Sequence, residues 1–347
     1  MDASAQLTRQ VKDLAGAAGF AAVGVAPADA VVGEKAFRDW LALGRHGQMA
    51  YLERNISMRF HPAELVKGAR SVLCLAVSYA PRQREDDDAG VPFVARYARG
   101  RDYHRVLRKR CHRLMDELRR IRPDFAGRAF VDSAPLAERS LAAAAGVGWI
   151  GRNGCLIVPG AGSYVVLCEI VSNLPLLPDA PLASACGDCD ACVTACPTGA
   201  CLGDATLDCR RCLSYLSIEH RGEIPADLRG AWGRRLFGCD DCQAACPHNL
   251  AAPAGDVELA VPPGAPAKLA EILRWTAEEW DRATRASVRR RADYRSTLRN
   301  AVLAAAGDET LRAALLALRD GRSELAGLID WSLAAAGSID RGAGGGV

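Results

Sequence analysis

The sequence of 347 residues lacks the patterns of membrane proteins, secreted proteins, nucleotide-binding proteins and triad hydrolases. No apolar run is long enough to cross a membrane. The first ten residues are polar and no signal-peptide core follows them, so we expect a cytoplasmic protein in which disulfides are disfavoured. No glycine-rich dinucleotide motif follows a predicted strand, and no phosphate-binding P-loop occurs. The six histidines suggest no catalytic triad.

The composition, in contrast, is that of an ordinary globular protein with unusually many cysteines. Apolar residues make up 50% of the chain, which is ample for a core, and the length suggests two or three domains. The net charge of +3 is too small to identify a partner, so the distribution of charge matters more. Of the 14 cysteines, ten fall between residues 186 and 246.

Eight of those ten cysteines follow the ligand spacing of an iron–sulfur protein. The first run reads CxxCxxCxxxCP over residues 186–197, which is typical of bacterial ferredoxins that hold two [4Fe–4S] clusters. A second, incomplete run reads CxxCxxxCP over residues 239–247 and has one cysteine upstream. In such ferredoxins the last cysteine of a run binds the other cluster. We therefore expect one cluster on Cys186, Cys189, Cys192 and Cys246, and the other on Cys196, Cys212, Cys239 and Cys242.

Zinc is the alternative metal that these cysteines could bind. It usually takes four thiolates from two CxxC pairs, and it does not require the longer run seen here. Cys201 and Cys209 lie near the motifs but lack the spacing of ligands. Cys74 and Cys168 fall in apolar runs and are expected to be buried. The cysteine-rich region is therefore predicted to carry electrons, one at a time.

Helical and strand patterns divide the chain into three parts, and the expected fold class is α+β. An N-terminal α/β domain is expected at residues 1–181, a ferredoxin-like domain with two clusters at 182–250, and an α-helical domain at 262–347. A linker rich in proline, glycine and alanine, residues 251–266, precedes the helical domain.

Several elements of the first domain can be predicted from periodicity. The expected helices and strands are helices at residues 6–18, 101–120 and 135–145, and strands at residues 20–26, 71–79 and 129–131. Pro135 would lie in the first turn of its helix, a position that proline favours. Residues 156–158 and 164–171 have the pattern of a hairpin.

Beyond these patterns, several stretches resemble the epoxyqueuosine reductase family. They are RYARGRDYH at residues 96–104, VDSAPLAER at 131–139, AGVGWIGRN at 145–153, RCLSYLSIE at 211–219 and GCDDCQ at 238–243. The cysteine motifs alone are shared with many ferredoxins, whereas their order beside these stretches is far more specific. The resemblance runs from about residue 5 to about residue 306.

The resemblance implies a reaction, a substrate and a cofactor. Such enzymes reduce the epoxide of epoxyqueuosine, at the wobble position of tRNA, to the alkene of queuosine, the last step of queuosine biosynthesis. They use cobalamin in its base-off form, held by an N-terminal domain similar to reductive dehalogenases and nitroreductases. The Asp-x-His-x-x-Gly pattern that places a histidine on cobalt does not occur in this sequence, which agrees with base-off binding.

The resemblance also implies a proton donor, Asp132, at the end of a short predicted strand. Removing an epoxide oxygen as water requires two electrons and two protons, and that oxygen leaves poorly unless it is protonated. A carboxyl can supply the proton near neutrality if desolvation raises its pKa, as we expect for Asp132. Alternatively, Asp132 or Ser133 could cap the helix expected after them. Both interpretations hold together if Ser133 is the cap.

Six other residues of the first domain fall in motif positions that could line the corrin or its amide side chains: Arg59, Tyr97, Asp102, Tyr103, Asn153 and Ser163. A corrin carries many amide groups, which hydroxyl and amide side chains suit. The alternative for each is a turn-forming or surface-paired residue.

Two groups of basic residues could bind the phosphates of tRNA. The first surrounds the RYARGRDYH motif, and some of its members could contact cobalamin instead: Arg96, Arg99, Arg101, Arg105, Arg108, Lys109, Arg110 and Arg113. The second lies in the helical domain and is favoured for phosphate: Arg282, Arg285, Arg289, Arg290, Arg291, Arg295 and Arg299. That domain resembles paired helical repeats of the HEAT type. A base of the anticodon loop could be splayed out and read in a pocket.

Two other functions stay open. A corrinoid-dependent reductive dehalogenase would share the cofactors, but such enzymes usually carry an export signal, and the second arginine group would have no use. A ferredoxin-type electron-transfer subunit would hold clusters without cobalamin. The expected partners are the tRNA and an electron donor such as a flavodoxin or ferredoxin. We expect a monomer without membrane contact.

Overall fold

The computed structural model describes residues 2–81, 90–259 and 267–335. Its strands, numbered along the chain, are β1 (Ala22–Pro27), β2 (Ser71–Ser78), β3 (Phe93–Val94), β4 (Gly127–Phe130), β5 (Trp149–Ile150), β6 (Leu156–Ile157), β7 (Val165–Ser172) and β8 (Arg235–Phe237).

A four-stranded antiparallel sheet lies at the centre of the N-terminal half, with its strands in the order β1, β2, β7, β4. The two central strands, β2 and β7, are buried along nearly all of their length. Continuous apolar sequences are what strands covered on both faces require. The strands predicted at residues 20–26, 71–79 and 129–131 are confirmed, with ends shifted by one or two residues.

Helices cover both faces of this sheet, and those of the N-terminal half are α1 (Ala3–Ala17), α2 (Glu34–Ala42), α3 (Ile56–Phe60), α4 (Tyr103–Ile121) and α5 (Glu138–Ala144). Helices α1 and α4 pack on one face, and α5 packs on the other. The helices predicted at residues 6–18 and 101–120 are confirmed. Cys74 and Cys168 are fully buried, as expected.

The helix expected at residues 135–145 is shorter than predicted. It begins at Glu138, so Pro135 does not lie in its first turn. Its N-cap is Ala137, which makes no side-chain capping bond, so the capping roles expected for Asp132 or Ser133 are wrong. The reason lies in packing: Leu136 is buried in the core beneath α5, and the chain turns to place it there before the helix starts.

Of the hairpin expected at residues 156–171, the turn forms, because Val158 and Gly162 pair in antiparallel fashion, but the strands on either side of it do not pair with each other. Strand β6 pairs with β5, whereas β7 joins the main sheet between β2 and β4. The β5–β6 pair depends on glycine, because a Cβ at Gly148 would lie 2.2 Å from the carbonyl oxygen of Ile157. The sequence patterns did not indicate the partner of β6.

The cysteine-rich segment contains two similar halves, and its helices are α6 (Ala191–Thr194), α7 (Leu213–Ile218), α8 (Ala226–Arg229), α9 (Asp241–Ala244) and α10 (Pro247–Leu250). Cys189 and Asp190 precede α6, and Cys239 and Asp240 precede α9 in the same way. The two short helices pack against each other. The repeat read in the sequence is therefore a repeat in the structure.

Part of the expected linker packs on the N-terminal domain. The Gly255 N–H donates to the Ala80 carbonyl, 2.9 Å away, and the Asp256 N–H donates to the Ser78 carbonyl, 2.8 Å away. Glycine is required because a Cβ at residue 255 would lie 2.6 Å from the Ala80 nitrogen. Residues 251–259 thus extend the N-terminal domain, and residues 260–266 lie outside the described part of the chain.

The C-terminal part is helical, with α11 (Leu269–Ile272), α12 (Ala277–Thr284), α13 (Tyr294–Ala304), α14 (Arg312–Gly321) and α15 (Ala326–Ala334). Helix α13 lies at its centre, where Asn300 donates to the carbonyls of Ser217 and Leu236. Leu236 packs in the core of these helices, so the helical and cysteine-rich parts share one interior. Within the described residues, no helix combines the length and hydrophobicity that a membrane crossing needs.

Candidate active site and iron–sulfur centres

Asp132 lies in the loop that follows β4 and presents its carboxylate to solvent. The side chain is 56% exposed. Its backbone has a φ of 55°, in the left-handed region that a residue other than glycine enters only under constraint. The Asp132 N–H donates to Glu138 Oε1 at 2.6 Å, which ties the loop to the first turn of α5.

Helix α4 brings three side chains to this carboxylate. Asp102 caps the helix by accepting from the His104 N–H at 3.0 Å. The cap places the Tyr103 hydroxyl 2.8 Å from Asp132 Oδ2 and His104 Nε2 3.2 Å from the same oxygen. His104 Nδ1 lies 2.8 Å from Asp102 Oδ1. The imidazole therefore bridges two carboxylates.

The charges of this group differ from the sequence expectation. The hydrogen bond from His104 lowers the pKa of Asp132 and outweighs burial, which would raise it; the Tyr103 hydroxyl lowers it further. Burial lowers the pKa of His104, but the hydrogen bonds to Asp132 and Asp102 together raise it. A raised pKa of Asp132 was thus a wrong expectation, because the bridging imidazole stabilises the ionised carboxylate.

The role of His104 was missed in the sequence. The available signal was its place in RYARGRDYH, two residues after the capping Asp102 and directly after Tyr103. Only the fold shows that the start of α4 meets the end of β4.

An aromatic wall stands beside the carboxylate. The Tyr97 ring packs edge-on against Tyr103 and Tyr79, with centroids 6.2 and 6.5 Å away, and lies 6.2 Å from Phe237. Burial raises the pKa of Tyr97, with smaller contributions from nearby acids, so its phenol stays neutral. Tyr97 and Tyr103 therefore form an apolar face with hydroxyl edges next to Asp132.

Arg59 carries a buried donor that lacks an acceptor. Its Nε is buried, and among the described residues no hydrogen-bond partner reaches it. The guanidinium lies 5.5 Å from the centre of the Phe37 ring. An unsatisfied buried N–H is rare in folded proteins and favours a bound ligand with an oxygen acceptor.

Asn153 and Ser163, for which corrin contacts were expected, make hydrogen bonds within the protein. Asn153 is buried, accepts from the Cys155 N–H at 3.1 Å and donates to the Cys242 carbonyl at 3.3 Å. Ser163 is buried, and its hydroxyl accepts from Asn249 Nδ2 at 2.9 Å. Both side chains join the N-terminal domain to the cysteine-rich segment. These contacts occupy an acceptor oxygen on each side chain, and a corrin contact for either residue stays a prediction.

The eight motif cysteines fall into two groups in space. Cys246 lies near Cys186, Cys189 and Cys192, close enough for their charges to interact. Cys186 and Cys246 also pack on the same apolar cluster around Trp149.

The other four cysteines form the second group. Cys212 interacts electrostatically with Cys196, and Cys242 with Cys239 and Cys212. Among the described residues no three His, Cys, Asp or Glu side chains converge on a point as the ligands of a single ion do. A cubane does not require this, because its thiolates surround four irons.

A half-buried cation accompanies the second group. The Arg235 guanidinium interacts with Cys239 and pairs with Asp241. It also donates to the carbonyl oxygen of Trp232 at 2.6 Å, which fixes its position. A fixed positive charge beside a thiolate favours the more negative state of any cluster bound there.

The second arginine group divides into buried and exposed members. Arg299 is buried and donates to the carbonyls of Leu216, His220 and Gly222 at 2.7, 2.9 and 2.9 Å. Burial lowers its pKa to about 10. The expectation that Arg299 binds phosphate is therefore wrong, since its donors are used inside the protein.

Arg289 is half-buried and donates to the Ala283 carbonyl at 2.8 Å. The remaining five members are exposed: Arg282, Arg285, Arg290, Arg291 and Arg295. Acids accompany some of them: Asp281 pairs with Arg285 and Arg290. The exposed surface is therefore basic but partly neutralised.

Arg291 lies within electrostatic reach of Asp132. It pairs with Glu219 at 2.7 and 3.1 Å and lies 5.3 Å from the centre of the exposed Tyr51 ring. Its positive charge also lowers the pKa of Asp132, after the stronger effects of His104 and Tyr103.

Within the first arginine group, Arg110 is buried and pairs with Asp256 at 2.8 Å and Glu258 at 2.7 Å. It fastens residues 251–259 to the N-terminal domain, so it is unavailable to phosphate, in contrast to the sequence expectation. Arg96 pairs with Asp240 at 3.4 Å. The exposed members are Arg101, Arg105, Arg108, Lys109 and Arg113.

These features define a class: an oxidoreductase in which a mixed helix-and-sheet domain is joined to a segment for two iron–sulfur clusters. Comparison with known proteins agrees. The family model described as "Epoxyqueuosine reductase QueG, DUF1730" matches residues 59–133. The model described as "4Fe-4S double cluster binding domain" matches residues 185–249, which include all eight motif cysteines.

Curated relatives match nearly the whole chain. The epoxyqueuosine reductase of Pseudomonas aeruginosa is 42% identical over 303 residues, covering 85% of this chain and 84% of the relative. That of Xanthomonas campestris pv. campestris is 39% identical over 344 residues, covering 94% and 95%. The chain belongs to the epoxyqueuosine reductase family.

Solved structures give the same result. An epoxyqueuosine reductase crystallised with an epoxyqueuosine-modified tRNA-Tyr stem loop has a TM-score of 0.85 at 30% identity, covering 96% of this chain and 90% of that one. The Bacillus subtilis enzyme, with its aspartate catalytic loop swung out of the active site, has a TM-score of 0.83 at 29% identity and covers 96% and 91%.

Proposed function

We propose that the protein reduces epoxyqueuosine to queuosine at the wobble position of a tRNA. The observation that carries this proposal is the exposed Asp132 carboxylate, held by Tyr103 and His104 in the two sequence motifs of the family. The solved relative bound to an epoxyqueuosine stem loop supports the same substrate. A protein that only transfers electrons has no use for such a proton-donating group.

The two cysteine groups suit two [4Fe–4S] clusters. We assign Cys186, Cys189, Cys192 and Cys246 to one cluster, and Cys196, Cys212, Cys239 and Cys242 to the other. Clusters of this kind would pass electrons singly from a donor such as a flavodoxin or ferredoxin toward the active site.

Cobalamin is the second cofactor that the family implies, and the residues beside Asp132 fit it. The unsatisfied Arg59 Nε suits an amide oxygen of a corrin, and the rings of Tyr97 and Tyr103 suit its apolar face and amide edge. Bound cobalamin would supply the two-electron reductant for the epoxide carbon. Asp102, used as a helix cap and as a partner of His104, would act through the histidine.

We propose that Asp132 and His104 act as one proton-donating unit. In the free enzyme the proton resides on His104, because its pKa is raised and that of Asp132 is lowered. A nucleoside bound over Asp132 would displace water from a carboxylate that is now 56% exposed. Desolvation raises the pKa of a carboxyl group, so the proton moves to Asp132 and then to the departing epoxide oxygen.

The exposed arginines of the helical part are the proposed phosphate contacts: Arg282, Arg285, Arg290, Arg291 and Arg295. We propose that these helices, whose HEAT-like nature stays a prediction, hold the anticodon stem while the modified base enters the site. Arg291, beside Tyr51 and within electrostatic reach of Asp132, would contact the nucleotide nearest the reaction. The loop that carries Asp132 would move as in the Bacillus subtilis enzyme, and the protein would act as a monomer.

Cobalamin binding tests this function against its alternatives. Anaerobically reconstituted protein is titrated with cob(II)alamin and followed by visible and EPR spectra. We expect a stoichiometric base-off signal, which Arg59→Ala weakens and Arg54→Ala, an exposed neighbour, leaves unchanged. Intact clusters without any cobalamin binding would instead identify an electron-transfer subunit.

Binding of the tRNA tests the basic surface. Replacing Arg282 and Arg295 by alanine should weaken stem-loop affinity and lower the salt dependence of binding by about one to two released counterions. The matched control replaces Arg108 and Arg113, which are exposed on α4. A loss confined to the control pair would place the tRNA on the first arginine group instead.

A further inference from the structure

The side chain of Glu138 holds the backbone N–H of Asp132. The Asp132 φ of 55° is unfavourable for a residue with a Cβ, and the Glu138 carboxylate accepts its N–H at 2.6 Å. Glu138 is the first residue of α5, so one end of this contact is rigid while the other lies in a loop. The conformation of the catalytic carboxyl therefore depends on Glu138.

A second glutamate lies beneath the first. Glu169 is in the middle of β7, paired with Cys74 on β2 and Phe130 on β4. It is fully buried, on the sheet face that α5 covers. In the part of the chain that the structure describes, neither of its carboxyl oxygens accepts from a donor. Its polar neighbour is Glu138, and two carboxyl groups can form a hydrogen bond only if one of them carries a proton.

The electrostatics agree with a shared proton. Burial, then the charge of Asp132, raises the pKa of Glu138 to about 7, and burial and the Glu138 charge raise the pKa of Glu169 well above its ordinary value. Other titratable groups on the surrounding elements interact electrostatically with the pair, Cys111 and Cys168 from the opposite face of the sheet: Arg59, Cys74, Tyr103, His104, Cys111, Asp132 and Cys168. If the proton is on Glu169, Glu169 donates to the Glu138 carboxylate, and Glu138 can still accept from the Asp132 N–H.

We propose that Glu138 and Glu169 share one proton, and that this pair holds the loop of Asp132 in the conformation that presents its carboxyl to the substrate. Glu138 is thus a positioning residue for Asp132, and Glu169 is the buried acid that keeps Glu138 in place. This inference rests on the proposed role of Asp132, and it assigns a use to a buried carboxyl that the reaction itself does not need.

Hydrogen exchange of residues 131–137 tests the pair without any substrate. Glu138→Ala removes the acceptor, so we expect exchange in this segment to become about tenfold faster. Glu138→Gln keeps an oxygen that accepts from the Asp132 N–H and should retain the wild-type rate. Glu309→Ala, at an exposed position of the C-terminal part, is the matched control. Equal exchange in wild type and Glu138→Ala, with clusters intact, would overturn the proposal.

The reaction supplies a second readout. Glu138→Ala should lower the single-turnover rate about tenfold and leave the KM for tRNA within about twofold, because positioning affects the bound state. Recovery of the rate in Glu138→Gln is expected. If Glu138→Ala loses its clusters, the nearly isosteric Glu138→Gln and Glu169→Gln take its place. In both variants the protection factors of residues 131–137, which are the intrinsic exchange rates divided by the observed rates, should no longer change with pH. A pH-dependent protection factor like that of the wild type would contradict a shared proton.

Different results would contradict the proposed function and the role of the Glu138–Glu169 pair. A wild type that binds cobalamin and tRNA but leaves epoxyqueuosine unchanged would end the proposed function, while the exchange result would still stand. An active wild type whose Glu138 and Glu169 variants match it in exchange, rate and pH dependence would end the inference alone.

Discussion

His104 Nε2 lies 3.2 Å from Asp132 Oδ2, and this contact determines which of the two groups carries the proton. The same imidazole lies 2.8 Å from Asp102 through its other nitrogen. A carboxyl that must donate a proton near neutrality need not have a raised pKa of its own if a protonated imidazole stands behind it. The sequence suggested that burial raises the pKa of Asp132 so that it holds a proton near neutrality. In the structure, the proton can instead be held by His104, which is paired with Asp132.

Replacing His104 tests the pairing directly. His104→Gln should lower the single-turnover rate about a hundredfold, because the proton store is lost. Tyr103→Phe removes one hydrogen bond and should cost about tenfold. Since the pKa of His104 is raised, the wild-type rate should fall as the pH rises through that pKa. His112→Gln, exposed on the same helix, is the control; a His104→Gln enzyme as fast as the control would exclude this role.

The free energy of unfolding should depend on pH because folding raises the pKa of Glu138. A carboxyl whose pKa is raised by folding stabilises the protein fully below its unfolded value, and the stabilisation is lost as the pH rises through the folded value. For Glu138 that window runs from the ordinary 4.5 to about 7.

The measurement is the unfolding midpoint between about pH 5 and about pH 8. The wild type should lose more stability across this window than Glu138→Gln does. His104 titrates nearby in the same direction, so the difference between the two proteins isolates the glutamate. Parallel curves would show that Glu138 does not titrate there.

Arg110 should stabilise the fold rather than bind tRNA. Arg110→Ala leaves Asp256 and Glu258 without their partner and should lower the free energy of unfolding by about 2 kcal/mol, less than a fully buried pair because both acids are partly exposed. The matched control is Arg113→Ala, exposed on the same helix. Loss of tRNA affinity in Arg110→Ala without loss of stability would contradict this assignment.

Arg235 should set the potential of the cluster assigned to Cys239. Arg235→Gln removes a half-buried positive charge beside that thiolate, so the cluster should become harder to reduce, by on the order of 60 mV for one electron. Arg235→Lys keeps the charge and should recover most of the shift. A redox titration followed by EPR measures both, and an unchanged potential in Arg235→Gln would show that the charge does not reach the cluster.

Much of the fold could be predicted, because the relevant signals are local. The apolar runs of β2 and β7 and the periodicity of α1 and α4 need no knowledge of their partners. The failures involve distant partners. Strand β6 pairs with β5, which precedes it in the chain, rather than with β7. Helix α5 begins three residues after Pro135 because Leu136 packs in the core.

The site divides in the same way. The motif placed Asp132 at the end of a strand, but its protonation depends on His104, 28 residues earlier in the chain. Asn153, Ser163 and Arg299 have residue types that suit ligands, yet each is used between segments that only the fold brings together. Residue type and motif position therefore selected Asp132, whose catalytic role stays a prediction, and missed the contacts of the residues around it.

Conversion of epoxyqueuosine to queuosine in a tRNA is the measurement that tests the account most directly. Protein reconstituted anaerobically with iron, sulfide and cobalamin is given a chemical reductant and epoxyqueuosine-containing tRNA, and the nucleosides are identified by mass spectrometry. We predict queuosine in the wild type and at least about a hundredfold less in Asp132→Asn, with tRNA binding and both clusters retained. Equal conversion by Asp132→Asn, or none by a wild type that holds every cofactor, would contradict it.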